Sequence, residues 1–144
     1  MYISNIELIA RLLLATALGA IIGFEREAKN KPAGVRTHAL VCLGACVFTL
    51  VSMSFGSFAN VDPSRVAAGI VTGIGFLGAG AIFRSETRIR GLTTAADLWV
   101  VSAIGLAVAL GEYITAVTTA LIVFFILYSA RIVNLKEKKK SAKS

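Results

Sequence analysis

Long runs without charge divide the chain into apolar segments separated by short polar ones. Three such runs cover residues 39–61, 66–83 and 113–130, and a fourth, 91–111, contains Asp97 as its one charged residue. A helix that crosses a bilayer needs about 20 apolar residues. These four runs therefore predict transmembrane helices.

The first apolar segment is less regular, because its uncharged run, 12–24, is too short to span a bilayer alone. A spanning helix must include Glu7 and Arg11, which lie one turn apart on one face and can pair near the headgroups. A cleaved signal peptide is the alternative, and it is disfavoured because no Lys or Arg stands before Arg11 to form a basic leader.

We therefore predict an all-α integral membrane bundle of five helices within residues 1–133, followed by a basic tail at 134–144. The predicted helices cover approximately residues 4–24, 37–58, 64–83, 91–111 and 113–133. The composition agrees, with 56% hydrophobic and 16% charged residues and a mean hydropathy of +0.78. Soluble domains have about 25% charged residues, and a chain of 144 residues has too little interior to bury this much apolar surface.

Basic residues distinguish the two sides of the membrane. None precedes Arg11, the second loop contains Arg65 alone, and the fourth contains none. The first loop, the third loop and the tail hold the others: Arg26, Lys29, Lys31 and Arg36, then Arg84, Arg88 and Arg90, then six between Arg131 and Lys143. Because cytoplasmic loops carry the excess of Lys and Arg, this alternation predicts an outside N-terminus and a cytoplasmic C-terminus.

The net charge of +7 and the pI of about 9.9 are thus mainly signs of membrane topology. Nucleic acid is not an expected partner, because the basic residues lie in short loops beside the spans and not on a soluble domain. We expect the lysine-rich tail to be disordered and to lie against anionic membrane lipid.

The segment from Gly69 to Gly80 contains five glycines in twelve residues: Gly69, Gly73, Gly75, Gly78 and Gly80. Glycine weakens a helix in water, but in a bilayer small residues four apart let two helix backbones approach closely. We predict that this face is a packing surface, within the bundle or in a homodimer. Leucine at Gly75 or Gly78 should then disrupt assembly more than leucine at Gly111.

Asp97 is the main candidate for a functional residue, because ionisable groups inside a membrane are costly. It lies about 10 Å deep at 1.5 Å rise per residue, on one helical face with Thr93 and Thr94. Polar residues from the ends of the first two helices reach the same level. The predicted cytoplasmic cluster comprises Glu25, Arg26, Arg36, Thr37, Arg90, Thr93, Thr94 and Asp97, with Asp97 facing Arg26 or Arg36.

Two interpretations of this cluster remain open. One is an ion pair that holds helices together, since arginine binds carboxylates in bidentate fashion. The other is an ion or proton site. Mg²⁺ prefers carboxylates and water, and a neighbouring guanidinium competes for the same oxygens, so the first interpretation is favoured. No cofactor or resident metal is predicted beyond a possible Mg²⁺ ion.

A second cluster is predicted at the outer surface, where Asp62-Pro63-Ser64 should cap the third helix. Its members are Glu7, Arg11, Asp62, Arg65 and Glu112. Cys42 and Cys46, one turn apart, are expected to be packing residues, and His38 a hydrogen-bonding residue at the membrane surface. The sequence has no Walker loop, metal-binding histidine pair or serine elbow, so no enzymatic activity is predicted.

Three stretches together resemble the MgtC/SapB family of bacterial membrane proteins. They are GFEREAKNKPAGVRTHALVCLGA at 23–45, DPSRVAAGIVTGIGFLGAGAIF at 62–83 and RGLTTAADLWVVSAIGLA at 90–107. The residues that match the family pattern are Glu25, Arg26, Gly34, Arg36, Thr37, Asp62, Arg65, Gly75, Gly78, Gly80, Arg90, Gly91, Thr93 and Thr94.

The resemblance implies a multi-pass protein of the bacterial inner membrane with five N-terminal helices. It also implies a role linked to magnesium limitation, survival inside host cells and restraint of the F-type ATP synthase. We expect this chain to correspond to the membrane part of the family, without its soluble C-terminal domain. The expected function is a non-enzymatic regulator that acts through helix contacts, as a homodimer or with a membrane-protein partner. The alternative is a small transporter or channel component for Mg²⁺, protons or another cation.

Overall fold

A computed structural model describes residues 3–57 and 61–141, and within them five α-helices form a bundle. The helices are α1 (Asn5–Ala28), α2 (Val35–Ser54), α3 (Ser64–Gly80), α4 (Leu92–Leu110) and α5 (Tyr113–Ser141). A 3₁₀ turn, Phe55–Ser57, follows α2. Two short antiparallel strands, β1 (Phe83–Arg84) and β2 (Ile89–Arg90), connect α3 to α4. The predicted all-α bundle is confirmed, with this hairpin as an addition.

The outer surface of the bundle is strongly apolar, as expected for a protein in lipid. In the described part of the chain, α1, α2 and α4 are each long and apolar enough to cross a bilayer, while α3 and the apolar part of α5 (Tyr113–Ser129) are shorter. Large apolar side chains such as Ile6, Phe76 and Ile114 are more than four-fifths exposed. Soluble proteins rarely expose so large an apolar surface to water, so the chain is a helical membrane protein.

Helix α4 is the centre of the bundle, since it packs against each of the other four helices described. Helices α1 and α2 form an extensive antiparallel contact, and α2 also packs against α4. Helix α3 contacts α4 and α2 at the edge of the bundle. The main apolar core is therefore shared by α1, α2, α4 and α5, and its members include Ala15, Ile22, Cys42, Cys46, Val101, Ile104, Val108, Ala116 and Val123.

Three glycines outside the glycine-rich segment allow the closest approaches between helices. A Cβ atom at Gly19 would lie 2.6 Å from the carbonyl oxygen of His38, and one at Gly23 would lie 2.7 Å from that of Gly34. At Gly105 it would lie 2.1 Å from the carbonyl oxygen of Cys42. Because real Cβ atoms cannot approach so closely, these positions require glycine for α2 to lie against both α1 and α4.

The connection between α3 and α4 differs from the predicted continuous helix to residue 83. Helix α3 ends at Gly80, and the chain then turns into the β-hairpin, whose four strand residues are all exposed. Gly91 closes this connection with φ of 92°, where a Cβ atom would lie 1.9 Å from the carbonyl oxygen of Ala81. The backbone at Gly91 therefore lies directly against the end of α3.

The end of the chain also differs from expectation. Helix α5 continues through the segment predicted to be a disordered tail and ends at Ser141. Lysine, glutamate and leucine all have good helix propensity, so an existing helix can extend through this polar sequence. The predicted end of the second helix at residue 58 and the last three tail residues, 142–144, lie outside the described residues.

Candidate functional site

Arg26 lies at the centre of a buried polar cluster between α1 and α4. It belongs to the last turn of α1, and its side chain is 5% exposed. Its Nε atom lies 2.9 Å from Oδ2 of Asp97, a carboxylate that is itself 6% exposed. The guanidinium also donates a hydrogen bond of 3.1 Å to the hydroxyl of Thr94. Of the two arginines expected to face Asp97, the structure therefore selects Arg26.

Glu25 and Lys29 extend the cluster to α5. Oε2 of Glu25 lies 3.8 Å from NH1 of Arg26, and Oε1 of Glu25 forms an ion pair with Lys29 one turn further along α1. Lys29 in turn donates a hydrogen bond of 2.7 Å to the carbonyl oxygen of Leu127 in α5. We call these five residues the Arg26 cluster: Glu25, Arg26, Lys29, Thr94 and Asp97.

The Arg26 cluster is electrically balanced, with two carboxylates and two cations. The Nε atom of Arg26 does not point directly at Oδ2 of Asp97, so this contact is an ion pair and not a well-aligned hydrogen bond. Charges taken out of water need such compensation, because the desolvation cost of each ion is several kcal/mol. The cluster is therefore suited to holding α1, α4 and α5 together.

The donor set does not fit a resident Mg²⁺ ion. Both buried carboxylates already face cations, and Mg²⁺ requires near-octahedral oxygen ligands, usually carboxylates and waters. Within the described residues, no three His, Cys, Asp or Glu side chains lie close enough together to hold a metal ion.

Other residues predicted for this cluster are placed around it. Arg36 and Thr37 are exposed on α2, because the helix begins at Val35 and turns His38 inward instead. Their predicted position within the cluster is therefore wrong. Arg90 and Thr93 are also exposed, and with Thr94 they line a cleft that opens beside Arg26.

His38 is buried within the bundle, where the sequence suggested a position at the membrane surface. Its Nδ1 atom lies 2.9 Å from the carbonyl oxygen of Gly34, so the predicted hydrogen-bonding role is confirmed. Its Nε2 atom has no hydrogen-bond partner among the described residues. His38, Cys42 and Cys46 share the buried face of α2 at four-residue spacing, and this spacing is the signal that could have revealed the burial of His38.

A second arginine, Arg11, lies at the opposite end of α1. It forms an ion pair with Glu7, donates to the carbonyl oxygen of Ala109, and donates from Nε to the Tyr113 hydroxyl at 3.0 Å. These contacts connect α1 to the turn between α4 and α5. We call Glu7, Arg11 and Tyr113 the Arg11 cluster; Tyr113 was not predicted, since a tyrosine at a helix start gives no specific signal.

The remaining residues of the predicted outer cluster are separate from Arg11. Oδ1 of Asp62 accepts hydrogen bonds from the Ser64 hydroxyl at 2.7 Å and from the Ser64 backbone at 2.9 Å, and so caps the start of α3. The same two bonds lower the pKa of Asp62 below its usual value. Arg65 and Glu112 are exposed. Asp62 is thus a capping residue, as its sequence context indicates.

The glycine-rich face of α3 is mostly open in the single chain. A Cβ atom at Gly78 would lie 3.6 Å from Ala95 in α4, an ordinary contact. At Gly69, Gly73, Gly75 and Gly80 it would meet no described atom within 4 Å. Of the two predicted alternatives, these four glycines do not pack tightly inside the bundle, and a homodimer contact stays a prediction. Gly111 is not a neutral control for them, because it has φ of 83° and lies against Arg11.

The chain is similar to several known bacterial proteins. The MgtC family matches residues 12–135. The Escherichia coli K12 protein YhiD, whose description proposes a magnesium transporter, is 48% identical over 74% of this chain and 53% of its own length. Protein MgtC of Salmonella typhimurium LT2 is 48% identical over 80% of this chain and 48% of its own length. An uncharacterized Haemophilus influenzae protein is 41% identical over 93% and 58%.

The chain spans about half the length of the curated relatives it matches. No solved structure gives a significant match. The family match extends from within α1 into α5, so it includes every residue of the Arg26 cluster. The chain therefore belongs to the MgtC family of membrane proteins.

Proposed function

We propose that this chain acts in magnesium-linked ion or energy homeostasis in the bacterial inner membrane, as a non-enzymatic regulator that works through contacts between membrane helices. The link to magnesium is taken from the description of its relative YhiD, with which it shares 48% identity. The proposed regulatory mode is supported by the charge arrangement at the Arg26 cluster.

The observation that carries the proposal is the pairing of both buried carboxylates with cations of the same bundle. Asp97 faces Arg26 at 2.9 Å, and Glu25 pairs with Lys29. A cation that entered here would have to displace a guanidinium or an ammonium group from these oxygens. Such a compensated cluster favours a structural role over transient ion binding.

The bundle interior next to the cluster supports the same conclusion. Ile22, Cys42, Val101 and Ile104 are each at most 1% exposed and fill the space between α1, α2 and α4. An ion that crosses a membrane needs polar groups or water along its path. The described interior there is mostly apolar, and its buried polar side chains, His38, Thr49, Ser52 and Ser102, each bond to a backbone carbonyl.

Flux measurements test the proposal directly. The purified full chain is reconstituted in liposomes loaded with a Mg²⁺-sensitive dye or, in a second set, a pH-sensitive dye. Asp97→Asn and empty liposomes serve as controls. We expect no Mg²⁺ flux above that of empty liposomes. A Mg²⁺ or proton flux that Asp97→Asn abolishes would overturn the regulatory proposal.

Such a flux would favour the alternative function, a small cation transporter or channel component. One observation supports this alternative: Glu25, Arg26 and Thr94 line a cleft and are therefore reachable from one end of the bundle. Transport would require an opening of the core that separates the cluster from the Arg11 end.

We further propose that the helix contact is made by the open face of α3 with a second copy of the chain. Gly69 and Gly73 lie in an apolar groove of about 600 Å³ between α2 and α3. Small residues four apart form a surface that is complementary to itself across a twofold axis. The groove is thus suited to a symmetric pair of α3 helices.

Crosslinking in native membranes tests this contact. We expect a homodimer in the wild type and its loss in the double variant Gly69→Leu/Gly73→Leu. Ala68→Leu is the matched control, because Ala68 is exposed on the same helix but does not line the groove. A monomeric wild type, or a dimer unaffected by the glycine changes, would contradict the proposal. A crosslink to a different membrane protein would also contradict it, because the partner of α3 would then not be a second copy of the chain.

A further inference from the structure

A large cleft lies at the end of the bundle that carries the Arg26 cluster. Its volume is about 1530 Å³, and it is lined by the end of α1, the loop before α2, the β-hairpin, the start of α4 and α5. Small-molecule sites usually have volumes of about 300–1,000 Å³. The cleft is therefore larger than a single small ion requires.

The lining of the cleft is basic. It includes Arg26, Lys29, Lys31 and Arg90, against Glu25 as the single acidic residue among the described lining residues. Arg26 and Lys29 are compensated within the Arg26 cluster. Lys31 and Arg90 are exposed and form no ion pair with a described side chain. The cleft thus carries two uncompensated positive charges and attracts anions.

The start of α4 adds to this attraction. Gly91 and Thr93 line the cleft at the first turn of α4. Backbone N–H groups at a helix start are free to donate hydrogen bonds, and the helix dipole favours negative charge there. The hydroxyl of Thr93 is a further hydrogen-bond donor at the same place.

The rest of the lining is aromatic and aliphatic. Phe24, Phe83 and Tyr128 all line the cleft and are about half or more exposed on the outer surface of the bundle. They form an apolar wall that continues into the lipid-facing surface. A ligand that matches both parts of the cleft has an anionic head and an apolar body.

We propose that this cleft binds an anionic phospholipid, with its phosphate at Lys31 and Arg90 and its acyl chains along Phe24 and Tyr128. Basic pockets at the cytoplasmic ends of membrane helices are suited to phospholipid headgroups, and the basic loops put this end at the cytoplasm. The bound lipid links α1, α4, α5 and the hairpin, and so makes bundle geometry dependent on lipid composition.

Native mass spectrometry of the full chain in a neutral detergent tests the proposal. The probes are phosphatidylglycerol, phosphatidylcholine and inorganic phosphate. We expect phosphatidylglycerol to bind more tightly than phosphatidylcholine. Lys31→Gln and Arg90→Gln should each weaken phosphatidylglycerol binding about fivefold, which corresponds to about 1 kcal/mol per charge.

Arg88→Gln is the matched control, because Arg88 is exposed in the same hairpin but does not line the cleft. It should bind phosphatidylglycerol as the wild type does. Phe24→Ala tests the apolar wall and should weaken lipid binding while retaining the preference for the anionic lipid. Circular dichroism verifies that each variant is folded.

Three results would overturn the proposal. The first is equal affinity for phosphatidylcholine and phosphatidylglycerol. The second is equal loss of binding in Arg88→Gln and Arg90→Gln. The third is competition by inorganic phosphate at the same concentration as lipid, since the ligand would then be a free phosphate and the apolar wall would contribute nothing.

Discussion

The two ends of α1 each bury an arginine, and they satisfy it in different ways. Arg26 faces two carboxylates, Asp97 and Glu25, whose side chains are both 6% exposed. Arg11 has one carboxylate, Glu7, which is 44% exposed, and otherwise donates to a tyrosine hydroxyl and a backbone carbonyl. One site is therefore a buried network of full charges, and the other is a half-solvated pair with neutral acceptors.

This difference predicts how much each partner of the two arginines contributes to the stability of the bundle. Removing one member of a buried ion pair leaves the other charge uncompensated, which is far more costly than losing the pair itself. Around Arg11, water or a lipid headgroup can replace the exposed partner. The stability of the bundle should consequently depend on the Arg26 partners more than on the Arg11 partners.

The largest expected effect is that of Asp97→Ala. The change leaves the buried Arg26 guanidinium with Glu25, 3.8 Å away and already paired with Lys29, as its one facing carboxylate. We expect the free energy of unfolding to fall by about 3–5 kcal/mol. Reversible unfolding in mixed detergent, followed by circular dichroism, measures it. The double variant Arg26→Met/Asp97→Leu removes both charges and should regain most of the loss. Equal destabilisation of the double variant would show that the uncompensated charge is not the cause.

The glycines that flank α4 provide the second test, since Gly91 is at the Arg26 end and Gly111 at the Arg11 end. Both have positive φ, which costs other residues about 1–2 kcal/mol. Alanine at Gly91 would also collide with the Ala81 carbonyl at 1.9 Å, whereas at Gly111 it would meet the movable Arg11 guanidinium at 3.1 Å. We expect Gly91→Ala to lower the unfolding temperature more than Gly111→Ala. The reverse order would mean that Arg11 is the more rigid site.

A smaller effect is expected for Tyr113→Phe. The hydroxyl accepts a hydrogen bond from Nε of Arg11 at 3.0 Å, and its loss should cost about 0.5–1.5 kcal/mol. The same unfolding assay applies, with Tyr128→Phe as the control because Tyr128 is an exposed tyrosine of the same helix. A loss as large as that of Asp97→Ala would remove the distinction between the two ends.

The smallest effect is expected for Glu7→Gln. Its carboxylate is 44% exposed, and solvent-exposed ion pairs contribute at most about 1 kcal/mol. The contribution should decrease as salt is added, because screening weakens exposed pairs. Unfolding measured at low and high ionic strength gives both quantities. A salt-independent loss of several kcal/mol would mean that the Arg11 site is as isolated from water as the Arg26 site.

The sequence predicted the five helices and the ion pair between Glu7 and Arg11, because both depend on spacing along the chain. The lengths of the uncharged runs identified five helices, and Glu7 and Arg11 pair as their four-residue spacing indicates. Spacing along one helix could not choose between Arg26 and Arg36 as the partner of Asp97. That choice depends on how α2 is rotated, and α2 is rotated so that His38 faces inward.

Glycine density was a poor guide to the tightest contacts. The glycine-rich α3 lies at the edge of the bundle with an open face, while isolated glycines at positions 19, 23 and 105 form the close approaches. A single glycine in an apolar helix carries no local signal of what it will meet. Its neighbour is set by tertiary packing, which one sequence does not reveal.

The central position of α4 has a consequence for biosynthesis. Arg26 leaves the ribosome with its local partners Glu25 and Lys29, but Thr94 is 68 residues further along the chain. We therefore expect the α1–α2 hairpin to enter the membrane with Arg26 only partly compensated and held near the headgroups, where water can reach it. Insertion of α4 then supplies Asp97 and Thr94, so we expect α4 to be the helix that completes the charge compensation of Arg26.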